Sequence, residues 1–174
     1  MSVRLATLKG TTDLFDSLVT AFSLGNPGVH TEIWIDGYRV STFAGGIGCV
    51  SVLPMGDMRA SDWYVIDIPV KDMHTAVRFV EQAVRTPAIY RWYLPEFSMP
   101  KALLDRFDTD LDCQRPDTWD RLFCSQFALL FLRRCALAGV LQVDQRRLGL
   151  LWGVNSRGCL PSRLKIIAER VFRK

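Results

Sequence analysis

The chain has 174 residues, 49% hydrophobic and 23% charged, with a net charge of +4, the balance of one globular domain with a substantial core. Its longest unbroken apolar stretch, residues 127–132, is far shorter than the about 20 residues that a membrane-spanning helix requires. The N-terminus lacks the apolar stretch of a signal peptide. We therefore expect a soluble protein of the reducing cytoplasm, without a transmembrane segment.

Five short segments have the composition of β-strands, rich in β-branched and aromatic residues. In chain order they are residues 3–8, 29–36, 38–43, 49–53 and 63–68. Asp36-Gly37 joins the second to the third and is a strong signal for a two-residue hairpin turn. Between the first two strands, helical spacing of Leu14, Leu18 and Phe22 predicts a helix over residues 13–22.

Two of the longer helices have clear start signals. Asp72 is placed to cap a helix that ends near Arg85. Its inward-facing residues are predicted to be Ala76, Val80, and Ala83 or Val84. The last helix starts at Pro161, because proline favours the first turn, and covers residues 161–172. Residues 88–118 are irregular apart from a short helix over 101–107.

The most apolar segment is a long helix that carries Cys124 and ends near Ala138, before Gly139. Asp117 and Thr118 are good caps upstream of it. We nevertheless predict a separate turn over residues 117–121 and a main helix that begins close to Cys124. Together the elements predict an α+β fold, a small antiparallel sheet packed by helices within one domain covering residues 1–174.

The five cysteines form no CxxC pair and no zinc-site spacing, so no metal, cofactor or disulfide framework is expected. Cys49 in a strand and Cys135 inside a helix are predicted to be small buried hydrophobes. Cys113 and Cys159 fall in polar loops, with no helix start immediately after them. Cys124, at a helix start, is the remaining candidate for a reactive thiol.

The chain has two histidines, so few candidates for a base exist. His74 lies in the first turn of a surface helix, where the helix dipole disfavours a cation. His30 opens a strand, and a histidine at a strand start with a thiol at a helix start is typical of papain-like pairs. An adjacent imidazolium lowers the pKa of a thiol by several units, so Cys124 is predicted to be a nucleophile activated by His30. A purely structural Cys124, packed in the core, is the alternative.

The order of several motifs resembles the circularly permuted NlpC-type papain-like enzymes. In sequence they are Gly28-Val29-His30-Thr31-Glu32-Ile33, then Gly37-Tyr38-Arg39-Val40-Ser41, then Gly45-Gly46-Ile47, and finally Cys124-Ser125-Gln126. The resemblance extends over residues 1–140, and the order of the motifs is more specific than any single one. It implies a permuted papain-like fold and places Tyr90 near the oxyanion.

The third member of a catalytic triad departs from that group. The resemblance places it at the start of the next strand, where this chain has Ser41 and Thr42 instead of a histidine, acid or amide. Glu32 shares a strand face with His30 but is two residues along, about 6.5 Å away. Three options stay open: a hydroxyl orients His30, Glu32 does, or the base is poorly oriented and turnover is weak.

Such thiols attack amides, isopeptides, esters and thioesters, so the expected substrate contains a peptide, isopeptide or lipid acyl group. The aromatic segment 90–94, with Trp119 and Phe123, indicates either an apolar cleft or simply core packing. Adenovirus-type and ubiquitin-like-protein proteases also place histidine before cysteine. They require an acid after the histidine strand, however, and none lies between Asp36 and Asp57.

A function outside catalysis also stays open. Residues 156–174 carry six Arg and Lys against one Glu, which is typical of a solvated helix face. The same charge suits contact with nucleic acid or an acidic partner. The chain would then be a catalytically weak papain-like binding module. Its oligomeric state is not predicted.

Overall fold

The computed structural model of the protein describes residues 2–9, 30–42, 50–85, 124–154, 156 and 159–173. These residues form a mixed α+β fold, which confirms the predicted class. The strands are β1 (Val3–Leu8), β2 (His30–Ile35), β3 (Tyr38–Thr42), β4 (Val50–Pro54) and β5 (Trp63–Ile68). The α-helices are α1 (Met73–Arg85), α2 (Cys124–Leu137), α3 (Gln145–Leu148) and α4 (Pro161–Phe172).

The five strands form one antiparallel sheet in the order β4-β3-β2-β1-β5. The predicted turn between β2 and β3 is present, with Asp36 at φ 48° and Gly37 at φ 86°. Positive φ at both turn residues gives a twist that matches the two strands. This turn sets the register of the hairpin, in which Trp34 pairs with Arg39.

The two faces of β2 belong to different clusters. Ile33 is buried in the main core, which joins the sheet to α1, α2 and α4. Trp34 points the other way and packs in a smaller cluster with Trp63. Because side chains alternate along a strand, His30 and Glu32 share the face of Trp34. His30 and Glu32 therefore lie on the opposite face of the strand from Ile33, whereas Thr31 shares the face of Ile33.

Helix α1 begins at the predicted cap. The carboxylate of Asp72 accepts hydrogen bonds from the Thr75 N–H at 3.0 Å and the Thr75 hydroxyl at 2.6 Å. The buried residues of the helix are Ala76, Val80 and Ala83. Val84 is 42% exposed, so Ala83 is the inward-facing residue of the two candidates.

Helix α2 is buried from Cys124 to Arg133. A helix that is enclosed on all sides belongs inside the core, and α2 contacts β2 and β3 as well as α1 and α4. The buried guanidinium of Arg133 donates to the carbonyl of Leu151 at 2.9 Å and to that of Val154. Gly139, at φ 67°, follows the end of the helix, as predicted.

Helix α4 begins with proline in its first turn, as predicted. Its buried residues include Leu164, Ala168 and Val171, and Ile167 packs against the core beside them. On the basic face, Lys165 and Arg173 pair with Glu169 at 3.6 and 3.1 Å. Part of the positive charge in this segment is therefore neutralised within the helix. None of the described helices has the length and apolarity needed to cross a membrane.

The surroundings of one cysteine differ from the prediction. Cys159 lies in a loop, as predicted, but it is fully buried two residues before α4 begins, and its carbonyl accepts a hydrogen bond from the buried Ser125 hydroxyl. Other predicted features lie outside the described residues. They are the helices over 13–22 and 101–107, the turn 117–121, and Cys49 and Cys113.

Candidate active site

The packing of α2 across β2 brings Cys124 and His30 together. The two side chains are close enough that each shifts the pKa of the other. The backbone N–H groups of Thr31 and Ser125 also lower the pKa of the Cys124 thiol. The imidazole and the two main-chain groups therefore each stabilise a negative charge on the sulfur.

Charge attraction outweighs burial for both members of this pair. Burial raises the pKa of the Cys124 thiol, but the charge and hydrogen bond of His30, with the two amides, bring that pKa below its usual value. Burial lowers the pKa of His30, but Cys124 and then Glu32 raise it to about 10. A thiol pKa that falls while the imidazole pKa rises favours a thiolate–imidazolium ion pair at neutral pH.

Glu32 is the carboxylate beside the base. Its Oε1 lies 3.4 Å from Nε2 of His30, so the two side chains bridge the spacing along the strand. The carboxylate is 0% exposed and accepts from Nε1 of Trp34 at 2.9 Å and from Nε of Arg39 at 2.9 Å. Nη2 of Arg39 donates to the other oxygen. Burial raises the pKa of Glu32, but Arg39, His30 and Trp34 lower it to about 2.

The other candidates for a third member are placed differently. The Ser41 hydroxyl donates to the Thr31 carbonyl at 2.7 Å, which ties β3 to β2. The buried Thr42 hydroxyl has no hydrogen-bond partner in the described part of the chain. Tyr90 lies outside the described residues. Of the options that the sequence left open, Glu32 is the one that the structure brings to His30.

Aromatic rings enclose the base from one side. The ring of Trp63 meets that of His30 edge-on, with 6.3 Å between centroids, and tilts against Trp34 at 5.5 Å. The guanidinium carbon of Arg39 lies 5.9 Å from the centre of the Trp63 ring. Cys124 is 5% exposed, whereas 20% of the His30 side chain is exposed. His30 is therefore the more accessible member of the pair.

The remaining described thiol of α2 and the second histidine have ordinary environments. Cys135 is fully buried, and burial raises its pKa to about 12, which makes its thiolate rare. His74 is exposed in the first turn of α1, as predicted. The contrast between Cys135 and Cys124, which share one helix, comes from the imidazole beside Cys124.

Arg39 and Trp34 are site residues that the sequence analysis missed. Both donate to Glu32, and the hairpin register pairs them directly across β2 and β3. The Asp36-Gly37 signal was sufficient to predict that pairing. Counting back from the turn would have placed a guanidinium and an indole N–H next to the strand position of Glu32.

No other described feature competes with this site. A groove of about 640 Å³ lies along β5 and the end of α4, next to Phe172 and Arg173, and does not include Cys124 or His30. Among the described residues, no three His, Cys, Asp or Glu side chains converge as metal ligands would. Searches of family models, curated proteins and solved structures find no match to this chain.

Proposed function

We propose that the protein is a thiol-dependent hydrolase or acyl transferase, with Cys124 as nucleophile, His30 as general acid and base, and Glu32 as the group that orients His30. The single observation that carries this proposal is the juxtaposition of Cys124 and His30 where the helix packs on the strand, because the imidazole lowers the thiol pKa although the sulfur is buried. A structural cysteine in an apolar site has a raised pKa instead, as Cys135 does.

The arrangement also supports a permuted papain-like fold. A histidine on a strand of an antiparallel sheet precedes a cysteine on a later, buried helix that packs against that strand. This is the order found in the NlpC-type group that the motifs resemble. Glu32 would then replace, from the histidine's own strand, the polar residue that this group carries on the next strand.

The reaction follows from the charges of the pair. The Cys124 thiolate attacks the carbonyl carbon of an amide, isopeptide, ester or thioester and forms a C–S bond. The imidazolium of His30 gives its proton to the leaving group as the bond to that group breaks. His30, now neutral, takes a proton from water or an acceptor nucleophile that attacks the acyl-enzyme. The C–S bond then breaks, and the thiolate and imidazolium are restored.

Two backbone donors are available for the oxyanion. The backbone N–H groups of Thr31 and Ser125 both lower the pKa of the Cys124 thiol, so they lie near its sulfur. The carbonyl oxygen of a bound acyl group would lie next to that sulfur, within reach of the same donors. Donors fixed before reaction stabilise the tetrahedral intermediate without reorganisation.

Iodoacetamide labelling tests the pair directly. An ordinary thiol of pKa 8.5 is about 0.3% thiolate at pH 6. Labelling of Cys124, located by peptide mass mapping, should be nearly independent of pH between 6 and 8. In His30→Ala the rate should fall by at least about tenfold at pH 6 and rise steeply with pH, because the buried thiol then titrates at or above its usual pKa.

His74→Ala is the matched control, since it removes the exposed histidine and should leave the labelling profile unchanged. A wild-type rate that climbs about tenfold per pH unit from 6 to 8, as for an unpaired thiol, would sink the proposal. The burial of Cys124 slows entry of the reagent equally at each pH, so the shape of the profile does not depend on access.

The burial of Cys124 favours one second candidate, a binding module that retains the papain-like shape with little turnover. Its contact surface would be the basic face of α4. Tight binding to nucleic acid that weakens with salt and is lost on neutralising Arg163 and Arg170 would support it. Lys165 and Arg173 contribute less there, because both already pair with Glu169.

A further inference from the structure

A buried, ionised carboxylate next to the base needs a compensating cation throughout the proposed cycle. A neutral third residue would have no such need. Glu32 is completely buried. In the proposed cycle, His30 is neutral between protonation of the leaving group and deprotonation of the attacking water. If His30 were the only cation near Glu32, that step would leave a buried carboxylate without compensation, which is strongly unfavourable.

We propose that Arg39 is a positioning residue that keeps Glu32 charge-compensated while His30 gives up and regains its proton. The inference rests on the proposed function and adds a permanent cation to it. Nε of Arg39 donates to Oε2 of Glu32 at 2.9 Å, and Nη2 donates to Oε1. This two-pronged contact fixes the carboxylate plane, and a guanidinium does not lose its proton in proteins.

Arg39 is itself held in place and only partly exposed. Its side chain is 22% exposed, and its guanidinium lies over the ring of Trp63, whose edge meets His30. Trp34 adds a neutral donor to the same carboxylate. In the proposed resting state the charges alternate from the guanidinium of Arg39 to the carboxylate of Glu32, the imidazolium of His30 and the thiolate. The carboxylate and the imidazolium each have an opposite charge on both sides.

The charged groups around His30 come from several elements. Cys124 faces it from α2, Glu32 from its own strand, and Arg39 from β3 through Glu32. On β1 and β5, Arg4 and Asp67 pair with each other at 3.0 Å. Lys9, after β1, donates to the Ser61 carbonyl. In the described part of the chain, Arg39 is thus the cation bonded to the carboxylate that contacts His30.

The test is an NMR titration of His30 in a Cys124→Ser background, where no thiolate contributes to its pKa. Arg39→Met keeps the aliphatic stem but removes the cation, so the imidazolium becomes the only cationic partner of Glu32. The pKa of His30 should then rise by about one unit or more. Arg39→Lys should restore part of the effect, because it returns the charge without the planar fork.

The protein carries its own reference for this experiment. His74 is its only other histidine and is exposed, so its resonances give an internal reference signal in every variant. Trp34→Phe removes a neutral donor and should shift the pKa of His30 much less than Arg39→Met does. An unchanged His30 pKa in Arg39→Met, with the fold intact by circular dichroism, overturns the inference.

The outcomes separate this inference from the proposed function. If Arg39→Met shifts the pKa of His30 but wild-type Cys124 labels as an ordinary thiol, charge compensation by Arg39 is supported. The proposed catalytic role of Cys124 is then refuted. If Cys124 shows the flat labelling profile but Arg39→Met and Arg39→Lys leave the pKa of His30 unchanged, catalysis stands and Arg39 has no positioning role. Should Arg39→Met not fold, Arg39→Lys alone decides, because loss of the fork must still move the pKa of His30 upward.

Discussion

The buried carboxylate of Glu32 is expected to make a large, pH-dependent contribution to stability. Burial raises its pKa, but Arg39, His30 and Trp34 together lower it from 4.5 to about 2. A fall of about 2.5 pKa units corresponds to about 3 kcal/mol of unfolding free energy at neutral pH. Because the folded-state pKa is the lower one, this contribution is complete above about pH 4.5 and is lost as the pH falls towards 2.

Glu32→Gln removes the charge with little change of shape. Urea unfolding of the wild type and the variant, measured at pH 7, 5 and 3, gives the difference in unfolding free energy at each pH. The variant should be less stable by about 3 kcal/mol at pH 7 and 5, and the difference should shrink at pH 3. Taking the difference cancels the titration of carboxylates that are unaffected by the substitution.

Asp67→Asn is the matched control for this measurement. Asp67 pairs with Arg4 at 3.0 Å, but its side chain is 83% exposed, so the loss of the same charge should cost less than about 1 kcal/mol. A Glu32→Gln difference that is as small as the control would refute the reasoning. So would a difference that stays constant from pH 7 to pH 3, since it would come from lost packing rather than from charge.

Four other side chains give independent predictions, and urea unfolding measures three of these. Ser41→Ala should lose about 1 kcal/mol, because this hydroxyl donates to a buried carbonyl of β2. Thr42→Val should be neutral or stabilising, since the Thr42 hydroxyl has no partner among the described residues, and a larger loss than for Ser41→Ala would contradict this. Asp72→Ala should lower the urea midpoint by removing the α1 cap, and an unchanged midpoint would count against it. Iodoacetamide at pH 8 should leave Cys135 unmodified while Cys124 reacts, and equal labelling would contradict the raised pKa of Cys135.

Much of the fold was predictable because its signals are local. Each strand is a short segment of β-branched and aromatic residues between turn residues, and Asp36-Gly37 predicts the hairpin from backbone preferences alone. The starts of α1 and α4 are likewise local, since Asp72 caps the first and Pro161 occupies the first turn of the second. The order β4-β3-β2-β1-β5 was not predictable in this way, because the place of β1 between β2 and β5 depends on long-range packing.

The pairing of Cys124 with His30 was predicted from the sequence, whereas the groups around that pair were less predictable. With two histidines in the chain, His30 was the base that remained once His74 was placed on a surface helix. The role of Glu32 stayed open, because two positions along a strand are about 6.5 Å apart. The side chains of Glu32 and His30 nevertheless approach each other to 3.4 Å. The burial of Cys159 was not predicted, because its polar sequence neighbours do not show that it packs in the main core.

The hairpin of β2 and β3 carries three of the four charged groups of the proposed site, so its register decides the chemistry of a thiol that lies elsewhere in the chain. His30 and Glu32 are on β2, and Arg39 reaches Glu32 from β3 because the turn pairs it with Trp34. A slip of one residue would turn the guanidinium to the opposite face of the sheet. The carboxylate would then depend on the imidazolium alone, and a base held permanently in its protonated form cannot accept the proton that the second half of the reaction requires.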